Sequence, residues 1–186
     1  MIKIKKIRCL VCGMIINNNN YDLNRLTLLE ENTSDQIIRC PFCGVTHEYL
    51  GEGYVDYDIK NLDEKTKKIL DMGMKLEIFN SEFYLEASMQ TKDESLKKLF
   101  KELSAIEMMH ARIHKNFGGF NKLPQLKEID YSRHNTDELL LIEAHKREKH
   151  AIQFYERYYN EVPIKYQNIF KALSFVEKEH YIITDN

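Results

Sequence analysis

Leu99-Phe100-Lys101-Glu102-Leu103-Ser104-Ala105-Ile106-Glu107-Met108-Met109-His110 decides how this chain is read, because the segment occurs twice. It returns as Ile169-Phe170-Lys171-Ala172-Leu173-Ser174-Phe175-Val176-Glu177-Lys178-Glu179-His180. Phe, Lys, Leu, Ser, Glu and His recur in register, and Val176 answers Ile106. Both copies end in Glu-x-x-His, and no other histidine has a glutamate three residues before it. Positions i and i+3 share a helix face, so each copy offers one carboxylate and one imidazole to a single point.

The repeat extends upstream. Lys75-Leu76-Glu77-Ile78-Phe79-Asn80-Ser81-Glu82-Phe83-Tyr84 is echoed by Lys146-Arg147-Glu148-Lys149-His150-Ala151-Ile152-Gln153-Phe154-Tyr155, with Lys, Glu, Phe and Tyr at matching spacing. The duplicated unit is therefore a glutamate on one helix followed by Glu-x-x-His on the next. Two units supply Glu77, Glu107, His110, Glu148, Glu177 and His180. That is the inventory of a dinuclear metal site in a four-helix bundle.

The helical signals around these motifs agree. Asn61-x-x-Glu64 has the form of a capping box, and Ile69, Met72, Leu76, Phe79 and Phe83 follow at helical spacing. The first helix is expected over about 63–90. Thr91-x-x-Glu94 opens the second, which runs to about Asn116 and is stopped by Gly118-Gly119. Asn135-x-x-Glu138 opens the third, reaching about Asn160, and Pro163 suits the first turn of the fourth. Residues 117–135 form a connection that is long for an up-down bundle but expected for the crossover of a ferritin-like one. The fold expected is mainly α, an antiparallel four-helix bundle with a long crossover, preceded by a small β-rich module.

The acidic positions fall on apolar stripes: Leu141, Ala144, Glu148, Ile152 and Tyr155 on one helix, Phe100, Leu103, Glu107 and His110 on another, Phe170, Leu173, Glu177 and His180 on a third. Inward carboxylates repel one another and lose hydration, at several kcal/mol each. Two divalent cations would neutralise them, iron or manganese by preference, with zinc a third candidate. Glu107 and Glu177 read as bridging ligands, Glu77 and Glu148 as terminal ones. Tyr84 and Tyr155 are candidate hydrogen-bond partners of the carboxylates. His114 and His145 lie about one turn from motif residues and read as supporting or part-exposed side chains rather than ligands. His47, His134 and His150 show no partner spacing.

Residues 1–55 differ in character from the bundle, 63–186, and 56–62 reads as a linker. Short β-rich runs (Ile2–Arg8, Met14–Ile16, Gln36–Arg39, His47–Leu50) surround Cys9-Leu10-Val11-Cys12-Gly13 and Cys40-Pro41-Phe42-Cys43-Gly44. Each Cys-x-x-Cys-Gly is a knuckle whose glycine turns the backbone tightly, and two knuckles make a tetrathiolate site. Asn17-Asn18-Asn19-Asn20 reads as turn, and Tyr21–Glu31 as a short helix or irregular loop. The basic run Lys3, Lys5, Lys6 and Arg8 reads as a solvated strand edge. A net charge of -2, 43% hydrophobic and 30% charged residues describe an ordinary globular protein, and a nucleic-acid partner is not expected. Leu10–Ile16 is too short for a signal peptide or membrane span. Paired cysteines then read as metal ligands in a cytoplasmic protein.

The order Glu, Glu-x-x-His, Glu, Glu-x-x-His with its Phe-Tyr pairs resembles the rubrerythrin branch of the ferritin-like superfamily over about 63–183. The cysteine module resembles a rubredoxin or zinc ribbon, placed before the bundle where the family more often carries it after. The resemblance implies a di-iron centre that reduces hydrogen peroxide to water and is fed electrons through a rubredoxin-type iron. It also implies a homodimer in which the cysteine site of one subunit approaches the di-iron site of the other. Ala151 stands where many rubrerythrins carry a further glutamate that exchanges with a histidine, so the site looks more symmetric, like that of bacterioferritin. Zinc or iron suits the cysteine site, because the chain has no Trp and the aromatic core of rubredoxin is not evident. A ferroxidase or iron-handling protein with a structural zinc ribbon is the alternative. An adaptor whose zinc ribbon binds nucleic acid or protein is a third reading.

Overall fold

The computed structural model describes residues 6–57 and 59–185. Lys3, Lys5 and the start of the Ile2–Arg8 run lie outside the described residues. The chain begins as a three-stranded antiparallel sheet in the order β2-β1-β3, with β1 Ile7–Cys9, β2 Ile15–Ile16 and β3 Leu50–Gly51. Ile7 faces Ile16 across one pairing, and Arg8 faces Gly51 across the other.

Of two expected strands, Gln36–Arg39 does not form and His47–Leu50 keeps only Leu50, in β3. Arg39 makes only an isolated bridge to Thr46, and His47–Tyr49 is a turn of 3-10 helix. For Gln36–Arg39 the cause is Asn32, whose side-chain oxygen accepts from the amides of Ile38 and Arg39 at 2.9 and 3.0 Å while its amide donates to the Arg39 carbonyl at 3.0 Å. Backbone groups engaged this way are unavailable to a ladder. Tyr21–Glu31 contains a single 3-10 turn, Arg25–Thr27, and the Leu26 amide donates to the Glu102 carboxylate at 2.8 Å.

Four helices follow: α1 Glu64–Gln90, α2 Glu94–Phe117, α3 Asp137–Tyr158 and α4 Ile164–Ile183. α1 packs against α2 and α3 against α4, with residues 118–136 crossing between the pairs. The caps are not those expected. Asp63 accepts from the Thr66 amide, Asp93 from Ser95 and Leu96, and Thr136 from Leu139, so each capping residue lies one or two positions after the anticipated Asn61, Thr91 or Asn135. An Asp or Thr nearer the first turn reaches the open amides with the right geometry. Thr91 instead donates to Asp137, tying the α1–α2 turn to the start of α3. Pro163 precedes α4 as its cap rather than lying in its first turn. The crossover is pinned by Arg147, which donates to the Tyr131 hydroxyl at 3.2 Å and stacks over Phe79 and Phe83. No helix among the described residues is long and apolar enough to cross a membrane.

The core divides around the acidic positions. Phe83, Tyr84, Phe100, Leu103, Leu140 and Ala144 cluster toward one end, while Ile113, Phe117, Tyr155 and Phe170 cluster toward the other. Along α1, α2 and α3 the glutamates fall between members of these two groups. The second cluster continues into the cysteine module, so module and bundle share buried apolar surface. Gly44 turns the second knuckle at φ 75°, and a Cβ there would lie 2.7 Å from Val176 Cγ1 on α4. Gly13 turns the first at φ 81°, where a Cβ would approach only Tyr57 Oη at 3.3 Å and Val55 at 3.6 Å.

Gly13→Ala should cost about 1–2 kcal/mol from backbone conformation alone. Gly44→Ala should cost more, because docking on α4 is lost as well. Urea denaturation of the two variants measures the difference, and equal midpoints would refute tight docking at Val176.

Candidate metal centre

Helical spacing delivers the six motif side chains to one buried layer. Glu77 lies on α1, Glu107 and His110 on α2, Glu148 on α3, Glu177 and His180 on α4, all at 0% exposure. They form two overlapping donor sets: Glu77, Glu107, His110 and Glu177, and Glu107, Glu148, Glu177 and His180. Within each set the ligand atoms lie within 4.8 Å of one another, and Glu107 and Glu177 belong to both. His110 Nδ1 is 2.9 Å from Glu177 and 3.3 Å from Glu107; His180 Nδ1 is 3.0 Å from Glu107, 3.6 Å from Glu177 and 3.8 Å from Glu148.

Such a layer is electrostatically unfinished without cations. Glu107 Oε2, His110 Nδ1, Glu148 Oε2 and both Glu177 oxygens have no hydrogen-bond partner among the described residues. Buried polar atoms are otherwise almost always paired. Burial, reinforced by Glu177 and Glu107, pushes the Glu77 carboxyl well above the usual range, and burial with Glu107 and Glu177 does the same to Glu148. Burial also raises Glu177, but the adjacent His110 and His180 outweigh it and hold that carboxyl low. Burial lowers His180, yet its hydrogen bond to Glu107 and the nearby Glu177 carboxylate carry it up to about 9. The residues fit a pair of divalent cations, because each unmet atom is a lone pair in one of the two donor sets.

The tyrosines serve the opposite repeat. Tyr84 on α1 donates to Glu148 on α3, and Tyr155 on α3 donates to Glu77 on α1. Each phenol thus holds the terminal glutamate of the other half-site. His114, set beside His145 in the sequence reading, is fully buried with Nε2 2.9 Å from the Tyr155 hydroxyl oxygen. His145 is half-buried away from the centre, its ring tilted 31° from that of Tyr181 with centroids 3.7 Å apart. His47 is exposed, His134 lies 3.7 Å from Glu143, and neither enters the centre.

The four cysteines converge as the second candidate site. Cys9, Cys12, Cys40 and Cys43 are buried and unoxidised, with Sγ separations of 3.7 Å (Cys9–Cys43) and 3.6 Å (Cys12–Cys40). A tetrahedral ion with bonds of about 2.3 Å demands sulfur–sulfur edges of roughly 3.8 Å, so the cage fits a tetrathiolate metal. Hydrogen bonds among the sulfurs pull Cys9 well below the usual thiol value, while burial pushes Cys40 and Cys43 up.

One contact that motif reading missed joins the two sites. His110 Nε2 lies 3.0 Å from the Cys43 carbonyl oxygen. A carbonyl only accepts, so Nε2 keeps a proton and Nδ1 is the nitrogen turned to the carboxylates. Burial lowers the His110 pKa, but the charge of those carboxylates outweighs it and raises it well above the usual imidazole range; Nδ1 becomes a free lone pair when a cation displaces its proton. The second cysteine knuckle therefore sits against the acidic centre of its own chain. Arg39 and Glu179 form a buried ion pair beside this contact, linking the module to α4 next to His180. No spacing rule pairs residues so far apart in sequence.

A four-helix bundle holding a carboxylate-bridged dimetal site, with a tetrathiolate cluster before it, defines the class of protein. A family model described as Rubrerythrin matches residues 68–185, and the chain belongs to the rubrerythrin family. Its cysteine module precedes the family domain, the reverse of the more usual order. No curated protein and no solved structure matches the chain.

Cation binding requires neutral His110 and His180 and ionised glutamates, so protons held by His110, His180, Glu77 and Glu148 must leave. Zinc titration of the acidic centre should release protons, and apparent affinity should fall steadily as pH drops from about 9 toward 6. Calorimetry in buffers of differing ionisation enthalpy measures this. A pH-independent affinity would show that these side chains are not the ligands.

Proposed function

We propose that this chain is a rubrerythrin-type oxidoreductase that reduces hydrogen peroxide to water at a di-iron centre, with electrons relayed through an iron-filled cysteine site. The observation that carries the reading is the pair of buried donor sets sharing Glu107 and Glu177. Four carboxylates to two imidazoles is a hard, oxygen-rich set that suits iron, with manganese or zinc as competitors. Glu107 and Glu177 would bridge, Glu77 with His110 and Glu148 with His180 would complete the two positions, and Tyr84 and Tyr155 would orient the terminal carboxylates. A pair of irons at these residues would supply the two electrons and the concentrated positive charge that peroxide reduction needs.

The chain itself supplies enclosure and orientation. Complete burial of the six donors excludes bulk water and strengthens each electrostatic contact. The His110–Cys43 hydrogen bond is the connection between the two sites within one chain. It gives electrons from a reductase or rubredoxin-type donor a short route inward. A cytoplasmic homodimer is part of the same reading, with exposed Leu85, Met89, Leu139 and Ile142 as apolar surface.

Ala151, fully buried on α3, favours a second reading. With no glutamate there to exchange with a histidine, a symmetric site would suit a ferroxidase or iron-handling protein. Size-exclusion chromatography separates the two, since a cage-sized particle that mineralises iron belongs to the second and a dimer to the first.

Anaerobic loading with ferrous iron should fill two positions in the bundle and give peroxide turnover with a reductant. Glu107→Ala should lose bundle iron and bring turnover to background together. Full turnover with stoichiometric iron in that variant would reject the assignment. The visible spectrum decides the cysteine site, red for a ferric tetrathiolate and colourless for zinc.

A further inference from the structure

The duplication that builds the metal centre is broken at one correlated pair of positions. Four residues after His110 stands His114, whereas four after His180 stands Thr184, whose hydroxyl donates to the His180 carbonyl at 2.9 Å. Four residues before Glu77 stands Gly73, whereas four before Glu148 stands Ala144. Gly73 and His114 meet: a Cβ at Gly73 would lie 2.6 Å from His114 Cε1 and 2.8 Å from Nε2. A mid-helix glycine costs about 1 kcal/mol against alanine. Here it is the notch that admits the imidazole.

The imidazole so admitted is fully buried, its plane 15° from that of Tyr155, with Phe154 and Phe170 presenting ring edges. Its Nε2 is 2.9 Å from the Tyr155 hydroxyl, and its Nδ1 has no partner among the described residues. Burial pushes its pKa down to about 3, so it is neutral and carries one N–H. A carboxylate that ligates a cation has no proton to give, so Tyr155 must donate to Glu77. The phenol oxygen can then only accept, which places the His114 proton on Nε2. Tyr84 has Glu148 alone as a hydrogen-bond partner among the described residues.

We propose that His114 is a positioning residue that acts through Tyr155, fixing the phenol proton on Glu77 and so pinning the terminal carboxylate of the His110 half-site alone. The inference rests on the dimetal reading. It makes the two half-sites unequal although their ligands are equivalent. Glu77 is backed by the linked pair Tyr155 and His114, and by a long 3.5 Å contact from Asn80 Nδ2 on its other oxygen. Glu148 has Tyr84 and, at the position matching Asn80, Ala151. Gly73 is the backbone allowance for that inequality.

The test is cobalt(II) and zinc(II) binding to the full chain, with the cysteine site filled beforehand. His114→Met removes the donor and keeps bulk; His114→Gln keeps an amide donor. His114→Met should weaken one of the two binding steps by about 10–100-fold and leave the other within a few-fold, while His114→Gln retains most of the wild-type affinity. His114→Met combined with Tyr155→Phe should be no weaker than Tyr155→Phe alone, because both remove one chain of contacts. Nitrogen-15 spectra of the zinc-loaded protein should show His114 protonated at Nε2 only. Multiplying penalties, a glutamine variant as weak as methionine, or an Nδ1-protonated His114 would each overturn the proposal. Failure of the wild-type protein to bind a pair of ions would instead overturn the dimetal reading, and this proposal with it.

Discussion

Four carboxylates and two imidazoles enclosed at the middle of an apolar bundle are the constraint on which the rest of the structure depends. Left to itself that layer is unfavourable, since each buried ion forfeits several kcal/mol of hydration. The protein half-solves the problem by juxtaposing opposite charges: His110 and His180 each lie within 4 Å of at least two carboxylates. Raised carboxyls at Glu77 and Glu148 are the other half. Both devices hold protons where cations belong. The fold is therefore stable enough to form around the layer, yet poised to exchange protons for metal.

Around this layer the bundle is built as two apolar ends, and each end also does work for the centre. The tyrosines illustrate it. Tyr84 belongs to one cluster and Tyr155 to the other, and each sends its hydroxyl to a glutamate of the opposite repeat. A buried phenol needs a partner for its O–H, and a buried carboxylate needs donors. Crosswise pairing meets both needs and couples α1 to α3, helices that are not consecutive in the chain.

The convergence of the six side chains was legible in the sequence because helical periodicity converts i, i+3 spacing into a shared face with no knowledge of the fold. The in-register repeat then separated Glu77 and Glu148 from the many glutamates on solvated faces. Helix caps were less legible. Asn61, Thr91 and Asn135 each head a passable capping box, yet Asp63, Asp93 and Thr136 lie close by and win on local geometry that spacing does not encode. The Gln36–Arg39 strand was overread because its β-branched content says nothing about Asn32 capturing the backbone of Ile38 and Arg39. His114 left two faint marks, its i+4 relation to His110 and the mid-helix Gly73. Neither suffices without knowing that α1 and α2 bring them together.

The least legible feature is how the cysteine module sits on the bundle, and it has a physical logic of its own. Arg39–Glu179 is a buried ion pair, a poor stabiliser next to apolar packing but costly to break, because either partner left alone is an unpaired buried charge. That asymmetry gives register. A module displaced by one knuckle would strand Arg39, strand Glu179 beside His180, and lift the Cys43 carbonyl from His110. Val176 against Gly44 adds a steric stop in the same place. Charge, shape and hydrogen bonding agree on one docking position, and that position sets the tautomer of His110. The cysteine cage and the carboxylate layer are thus coupled through a single backbone carbonyl: whatever orders the second knuckle also orients one imidazole of the metal centre.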